Sequence, residues 1–200
     1  MKFSVSSSAT ALIAPNVKEQ IEAFYEAGIK HIDFGFTSSY FWPDRKACDD
    51  ETFNAIISQA KKSAEKLGVD FTMGHAPYLY SANESDEKFI LQVDDVKGAI
   101  SACPKPGIDR LAVHAGNAFC ECYGELIDKN TAYYKALLPF AEEYGVMLMV
   151  ENISEKIYNR PFAIQCARDI LNLRESLGNH PLIRACWDTG HANVQGVRPI

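Results

Sequence analysis

The chain has 200 residues, 47% of them hydrophobic and 23% charged, with a formal net charge of −6. That length suits one domain with a sizeable core, and no run of about 18 apolar residues or charged-then-apolar N-terminal pattern marks a membrane span or targeting segment. The acidic balance lacks the usual footprint of a phosphate-backbone binder, so a small-molecule substrate is expected, with no nucleic-acid or membrane partner.

The first strand is expected at Phe3–Ser7. Val17 to Ala27 carries apolar residues at 17, 21, 24 and 25, an amphipathic helical stripe with Gly28 as its C-cap. A second strand, Ile29–Gly35, leads to a helix over Asp50–Leu67 closed by Gly68. Strand three is Val69–His75, stopped before Pro77. The third helix falls within Lys88–Ala102, ahead of Pro104-Lys-Pro-Gly107. Strand four is Ile108–His114, helix four Thr131–Tyr144, strand five Val146–Glu151 and helix five Phe162–Leu177. Strand six, Leu182–Trp187, opens directly into Asp188-Thr-Gly-His191.

Strands and helices alternate throughout, and strands three to six are short apolar runs, as expected where both sheet faces are covered. The chain therefore reads as a parallel α/β protein. Positions 35, 75, 114, 151 and 188, at the strand ends, recur at intervals of 37–40 residues. The first turn offers no GxGxxG for a doubly wound nucleotide fold. Equal units point instead to a (β/α) TIM-type barrel, which gathers its strand ends around one mouth.

That mouth is expected to collect His75, His114, Glu151, Asp188 and His191. Singly, each has an ordinary structural alternative; Asp188, for instance, suits the N-cap of a following helix with His191 packed beside it. Jointly, carboxylates and imidazoles at equivalent positions of consecutive units point to a divalent metal. Burying Glu151 beside Asp188 without a cation would be costly. Mn, Zn, Co, Mg and Fe all suit such ligands. Tyr78, Trp187 and Phe36 are candidate apolar platforms for a substrate or core aromatics, and Glu155 is a candidate substrate contact or a solvated loop charge. The six cysteines, at 48, 103, 120, 122, 166 and 186, show no CxxC metal spacing. Free thiols in a reducing cytoplasm fit them, the Cys120-Glu-Cys122 pair included.

The segments His75-Ala-Pro-Tyr78, Val113-His-Ala-Gly116, Val150-Glu-Asn152 and Asp188-Thr-Gly-His191 resemble the xylose-isomerase-like TIM-barrel superfamily. It includes sugar isomerases and epimerases and the endonuclease IV type of apurinic-site nuclease. For a sugar enzyme the resemblance implies Glu151 and Asp188 as metal ligands and His191 on the substrate. For a nuclease it implies zinc on His75, His114, Glu151, Asp188 and His191. Such barrels have eight units, so residues 1–200 are expected to form a single barrel domain lacking its last two βα units. Those units would carry a further His and carboxylate ligand. Marginal stability, or pairing with a second copy into a homo-oligomer through the gap, is the expected consequence.

The leading expectation is a metal-dependent isomerase or epimerase of a sugar or sugar phosphate, abstracting a proton next to a carbonyl through an enediolate. Glu151 and His191 would be its catalytic residues, with His191, Glu155, Trp187 and Tyr78 on the substrate. A zinc-dependent apurinic-site phosphodiesterase is the alternative, opposed by the charge balance. A catalytically inactive fragment or binding module is the third.

Overall fold

A computed structural model describes residues 4–7, 14–37, 41, 49–77, 86–115, 120–154 and 162–196, with backbone alone at 86–89. Its elements are β1 (Val5–Ser6), α1 (Val17–Glu26), β2 (His31–Gly35), α2 (Asp50–Leu67), β3 (Asp70–His75), α3 (Asp86–Ala102), β4 (Arg110–His114), α4 (Tyr123–Tyr144), β5 (Met147–Glu151), α5 (Ala167–Ser176), β6 (Ile183–Cys186) and α6 (Thr189–Gln195). The strands form one parallel sheet in the order β1-β2-β3-β4-β5-β6. This is the sequential βα winding of a TIM-type barrel.

The helix ends follow local chemistry. Asn16 caps α1 by accepting from the Glu19 backbone N–H through Oδ1 (3.0 Å), which satisfies one orphan donor, while its Nδ2 donates to the Glu19 carboxylate (2.9 Å). Asp49 caps α2 through Thr52 N–H (2.8 Å). Gly68 ends that helix at φ 67°, a left-handed position that a side chain disfavours.

Several expected boundaries are corrected. Helix α4 begins at Tyr123, eight residues before Thr131. The side chains of Asn130 and Thr131 donate to the Leu126 and Ile127 carbonyls (2.9 and 2.7 Å), satisfying themselves inside a continuing helix. Conversely α5 spans only Ala167–Ser176, because the Asp169 carboxylate accepts the Gln165 and Cys166 amides (2.9 Å each) and fixes a non-helical entry. The C-cap of α1 is Ala27, with Gly28 just beyond it. Strand β1 is confined to Val5–Ser6. Strand β6 is not covered on both faces: Arg184 and Ala185 are exposed, and among the described residues no strand pairs with its outer edge.

Between sheet and helices lies a continuous core of Ile, Leu, Val and aromatic side chains. Phe34, Phe36, Phe41, Phe53 and Phe71 form an aromatic cluster with neighbouring ring centroids 4.9–6.3 Å apart. Phe36 is only 1% exposed, so it belongs to this core and not to a sugar platform. Close packing reaches β3 at Gly74, where a Cβ would lie 3.0 Å from Leu111 Cδ1 and 3.1 Å from Phe36 Cε2.

One irregularity positions the site. The β2–β3 register skips Thr72, pairing Ile32 with Phe71 but Asp33 with Met73. Side chains alternate faces along a regular strand, yet Phe71 and Gly74, three residues apart, both meet the aromatic core. The extra residue flips the parity. His75 is thereby turned away from that core, onto the face that carries Asp33.

Candidate metal centre

The parallel register brings the strand ends to one staggered rim, with His75 paired to Ala112, two residues short of His114. His114 is paired with Glu151, Glu151 with Cys186, and Gly35 with His75. Strands β3 and β5 flank β4 and so lie roughly 10 Å apart. Their terminal side chains nevertheless touch, converging from the sheet face opposite the helices.

Glu151 is the centre, at 2% exposure. Its Oε2 lies 3.2 Å from His75 Nε2 and 3.2 Å from His114 Nε2, and the two nitrogens are 3.1 Å apart. On its other side, Oε1 is 3.6 Å from His191 Nδ1. Potential ligand atoms of His75, His114 and Glu151 lie within 4.8 Å of one another, as do those of Glu151, Asp188 and His191. All five expected ligands are therefore gathered, in two sets that share Glu151.

The near-equilateral first triangle is informative. Three ligands on a tetrahedral zinc ion at about 2.0–2.1 Å are separated by roughly 3.3 Å. Oε2 makes ion-pair contacts here, but among the described residues no aligned hydrogen-bond donor reaches it although it is buried. An unsatisfied buried carboxylate oxygen calls for explanation. Two imidazole nitrogens and an oxygen facing one another at this spacing suit a shared cation better than mutual hydrogen bonds, so the residues fit a divalent metal.

Burial lowers the pKa of His75, but its contacts with Asp33 and Glu151 outweigh burial and raise it to about 10. Burial raises the Glu151 pKa, and His114 and His75 outweigh that, holding its carboxyl far below the usual range. Burial, then Glu151, Asp33 and Asp188, push the Cys186 thiol up to about 12, so it stays protonated.

Asp188 is less enclosed than expected, its side chain 36% exposed. Its Oδ1 accepts from His191 N–H (2.6 Å) as the N-cap of α6. The capping role and proximity to Glu151 thus coexist in one carboxylate. Trp187 is partly buried against the core, and its buried Nε1 finds no hydrogen-bond partner among the described residues. Tyr78 and Glu155 lie outside the described residues. His31 and His180 sit at the other end of the sheet, against Asp70 (3.4 Å) and Glu142 (3.2 Å). Cys103, Cys120, Cys122, Cys166 and Cys186 form no disulfide among the described residues, and Cys48 lies outside them.

Two residues were missed as site candidates. Asp33 Oδ2 lies 3.3 Å from His75 Nδ1, the carboxylate–histidine arrangement that orients a ligand imidazole toward a metal. Its signal was a carboxylate between Ile32 and Phe34, two core residues on the opposite strand face. Asn152 is fully buried and hydrogen-bonded to Asp188 on both sides; it was read only as part of a motif.

No helix among the described residues is long and apolar enough to cross a membrane. No curated protein matches the chain significantly. Solved structures do. A D-tagatose 3-epimerase-like protein is 21% identical, with TM-score 0.69 over 96% of this chain and 67% of that one. A 3-keto-D-glucoside 4-epimerase from E. coli is 13% identical, with TM-score 0.73 over 98% and 71%. An IolI protein with a bound zinc atom is 16% identical, with TM-score 0.71 over 99% and 66%. The chain thus spans about two thirds of the length of these structures, and at such identities they establish the fold. Residues 21–199 match the model of one family, and the chain belongs to the xylose isomerase-like TIM barrel family.

Proposed function

We propose that this chain carries the metal-binding part of a divalent-metal-dependent isomerase or epimerase of a sugar or sugar phosphate, abstracting a proton next to a carbonyl. The observation that carries the reading is Glu151, a buried carboxylate flanked by His75 and His114 on one oxygen and by His191 on the other. Epimerases among the structural neighbours support the substrate class. Glu151 and Asp188, with His75, His114 and His191 as the remaining candidate ligands, would hold a divalent ion, which would supply Lewis-acid stabilisation of negative charge on the substrate.

The chain's own residues do the rest. Glu151 is ionised at neutral pH and is the proposed proton acceptor. His191 bonds the Asn152 carbonyl through Nδ1 (2.8 Å), which leaves Nε2 for a substrate oxygen or the ion. Trp187, Tyr78 and Glu155 are the proposed substrate contacts. The lack of a disulfide among the described cysteines supports a cytoplasmic location, and the outer edge of β6, unpaired among the described residues, supports association with a second copy.

The test is metal analysis, followed by incubation of the metal-loaded full natural polypeptide with ketohexoses and their phosphates in deuterium oxide. Metal-dependent deuterium incorporation beside the carbonyl, reduced at least 100-fold by Glu151→Gln, is the expected result. No incorporation with any of these sugars would refute the reading.

A second reading is a zinc phosphodiesterase acting on apurinic sites, favoured by the His75–His114–Glu151 triangle. The net charge of −6 opposes it.

A further inference from the structure

The β5–β6 ladder ends where Glu151 pairs with Cys186. Beyond that point the side chain of Asn152 takes over from the backbone. Its Oδ1 accepts from Asp188 N–H (2.6 Å), and its Nδ2 donates to Asp188 C=O (3.0 Å). Oxygen faces a donor and nitrogen faces an acceptor, so the amide has one satisfied orientation. The backbone carbonyl of Asn152 also accepts from His191 Nδ1 (2.8 Å). A carbonyl only accepts, so Nδ1 carries the proton and the neutral ring keeps its lone pair on Nε2. Asp188 closes the loop by accepting from His191 N–H.

We propose that Asn152 is the positioning residue of the Glu151–Asp188–His191 half of the site: its amide clamps the backbone of Asp188 while its carbonyl selects the His191 tautomer. Its place in catalysis rests on the metal reading above; the clamp itself does not. Residue 152 is 0% exposed, so lost bonds there are not replaced by solvent. Aspartate has the same shape and keeps the acceptor, but it sets an anionic oxygen against the Asp188 carbonyl in place of a donor. Simple charge attraction would make such a substitution bind a cation more tightly; a positioning role makes it bind more weakly. Supporting hydrogen bonds of this kind typically change metal affinity by about 10–100-fold.

The experiment is long-range proton–nitrogen NMR of the five imidazoles in the whole chain, as wild type, Asn152→Asp and Asn152→Ala, with and without Zn²⁺. In the wild type, His191 is expected as the Nδ1–H tautomer. Both variants keep the main-chain carbonyl of residue 152, so the Nδ1–H tautomer persists, while the lost amide clamp on Asp188 raises the Zn²⁺ concentration that moves the His191 signals at least tenfold. The His75 and His114 responses stay as in wild type. His31 and His180, at the far end of the sheet, report that the fold is intact. Should Asn152→Ala lose those two markers, Asn152→Asp decides alone. An unchanged or tighter Zn²⁺ response in Asn152→Asp with the fold markers in place overturns the proposal. A wild-type His191 that ignores Zn²⁺ sinks the metal reading, while a metal-free wild-type His191 found as the Nε2–H tautomer overturns the part given to the Asn152 carbonyl.

Discussion

Metal binding should be opposed by a proton on His75. With its pKa raised to about 10, His75 is protonated at pH 7, and both ring nitrogens are committed, Nδ1 toward Asp33 and Nε2 toward Glu151. A divalent ion needs the Nε2 lone pair. Expelling the proton at pH 7 costs about three pK units, or roughly 4 kcal/mol. Apparent affinity should therefore rise about tenfold per pH unit from pH 7 and level off near 10. Glu151 is already ionised and releases nothing. Titration calorimetry in buffers of different ionisation enthalpy should count about one proton released per ion at pH 7–8. Asp33→Asn should lower the pH at which the curve levels, since it removes one of the two carboxylates holding the proton. It should also weaken binding on the plateau, where only its support of the ring matters. The metal-free fold should respond oppositely. A raised histidine pKa stabilises fully below the unfolded value of 6.5 and is lost as pH rises through about 10, while the depressed Glu151 stabilises above 4.5 and is lost on acidification. Affinity that is flat between pH 7 and 9, with no proton released, would refute this account of the cluster.

Gly74→Ala should destabilise the fold by about 1–3 kcal/mol, because the new Cβ meets Leu111 and Phe36 at 3.0 and 3.1 Å; an unchanged melting temperature would mean the core yields there. Asp188→Asn should keep the α6 cap yet weaken metal binding, whereas Asp188→Ala should also lose about 0.5–2 kcal/mol of stability; melting and metal titration of both variants separate the roles. Abasic duplex DNA should show no binding that weakens steeply with salt, and either such binding or cleavage at the abasic site would promote the phosphodiesterase reading.

Much of this fold was legible because its determinants are local. The limits of α2 at Asp50 and Leu67 follow from an acidic cap, an apolar stripe and a left-handed glycine within one stretch of chain. The equal spacing of His75, His114, Glu151 and Asp188 implied one rim, since parallel units of one length bring their ends together. Other outcomes needed the third dimension. The start of α4 depended on whether Asn130 and Thr131 bonded backwards into a helix or outwards into a turn, which packing on the sheet decides. Phe36 entered the core because a single unpaired residue at Thr72 fixes which face of β3 meets it. The same bulge sets His75 against Asp33, a partner 42 residues earlier. Asn152 acquired its role only where the ladder ends and the Asp188 backbone comes within reach. The period of the strands and the length of the units sufficed to put His75, His114, Glu151 and Asp188 at the rim. The tertiary structure decided which atoms face one another, because hydrogen-bond partners and ligand spacing depend on register and curvature that no single segment encodes.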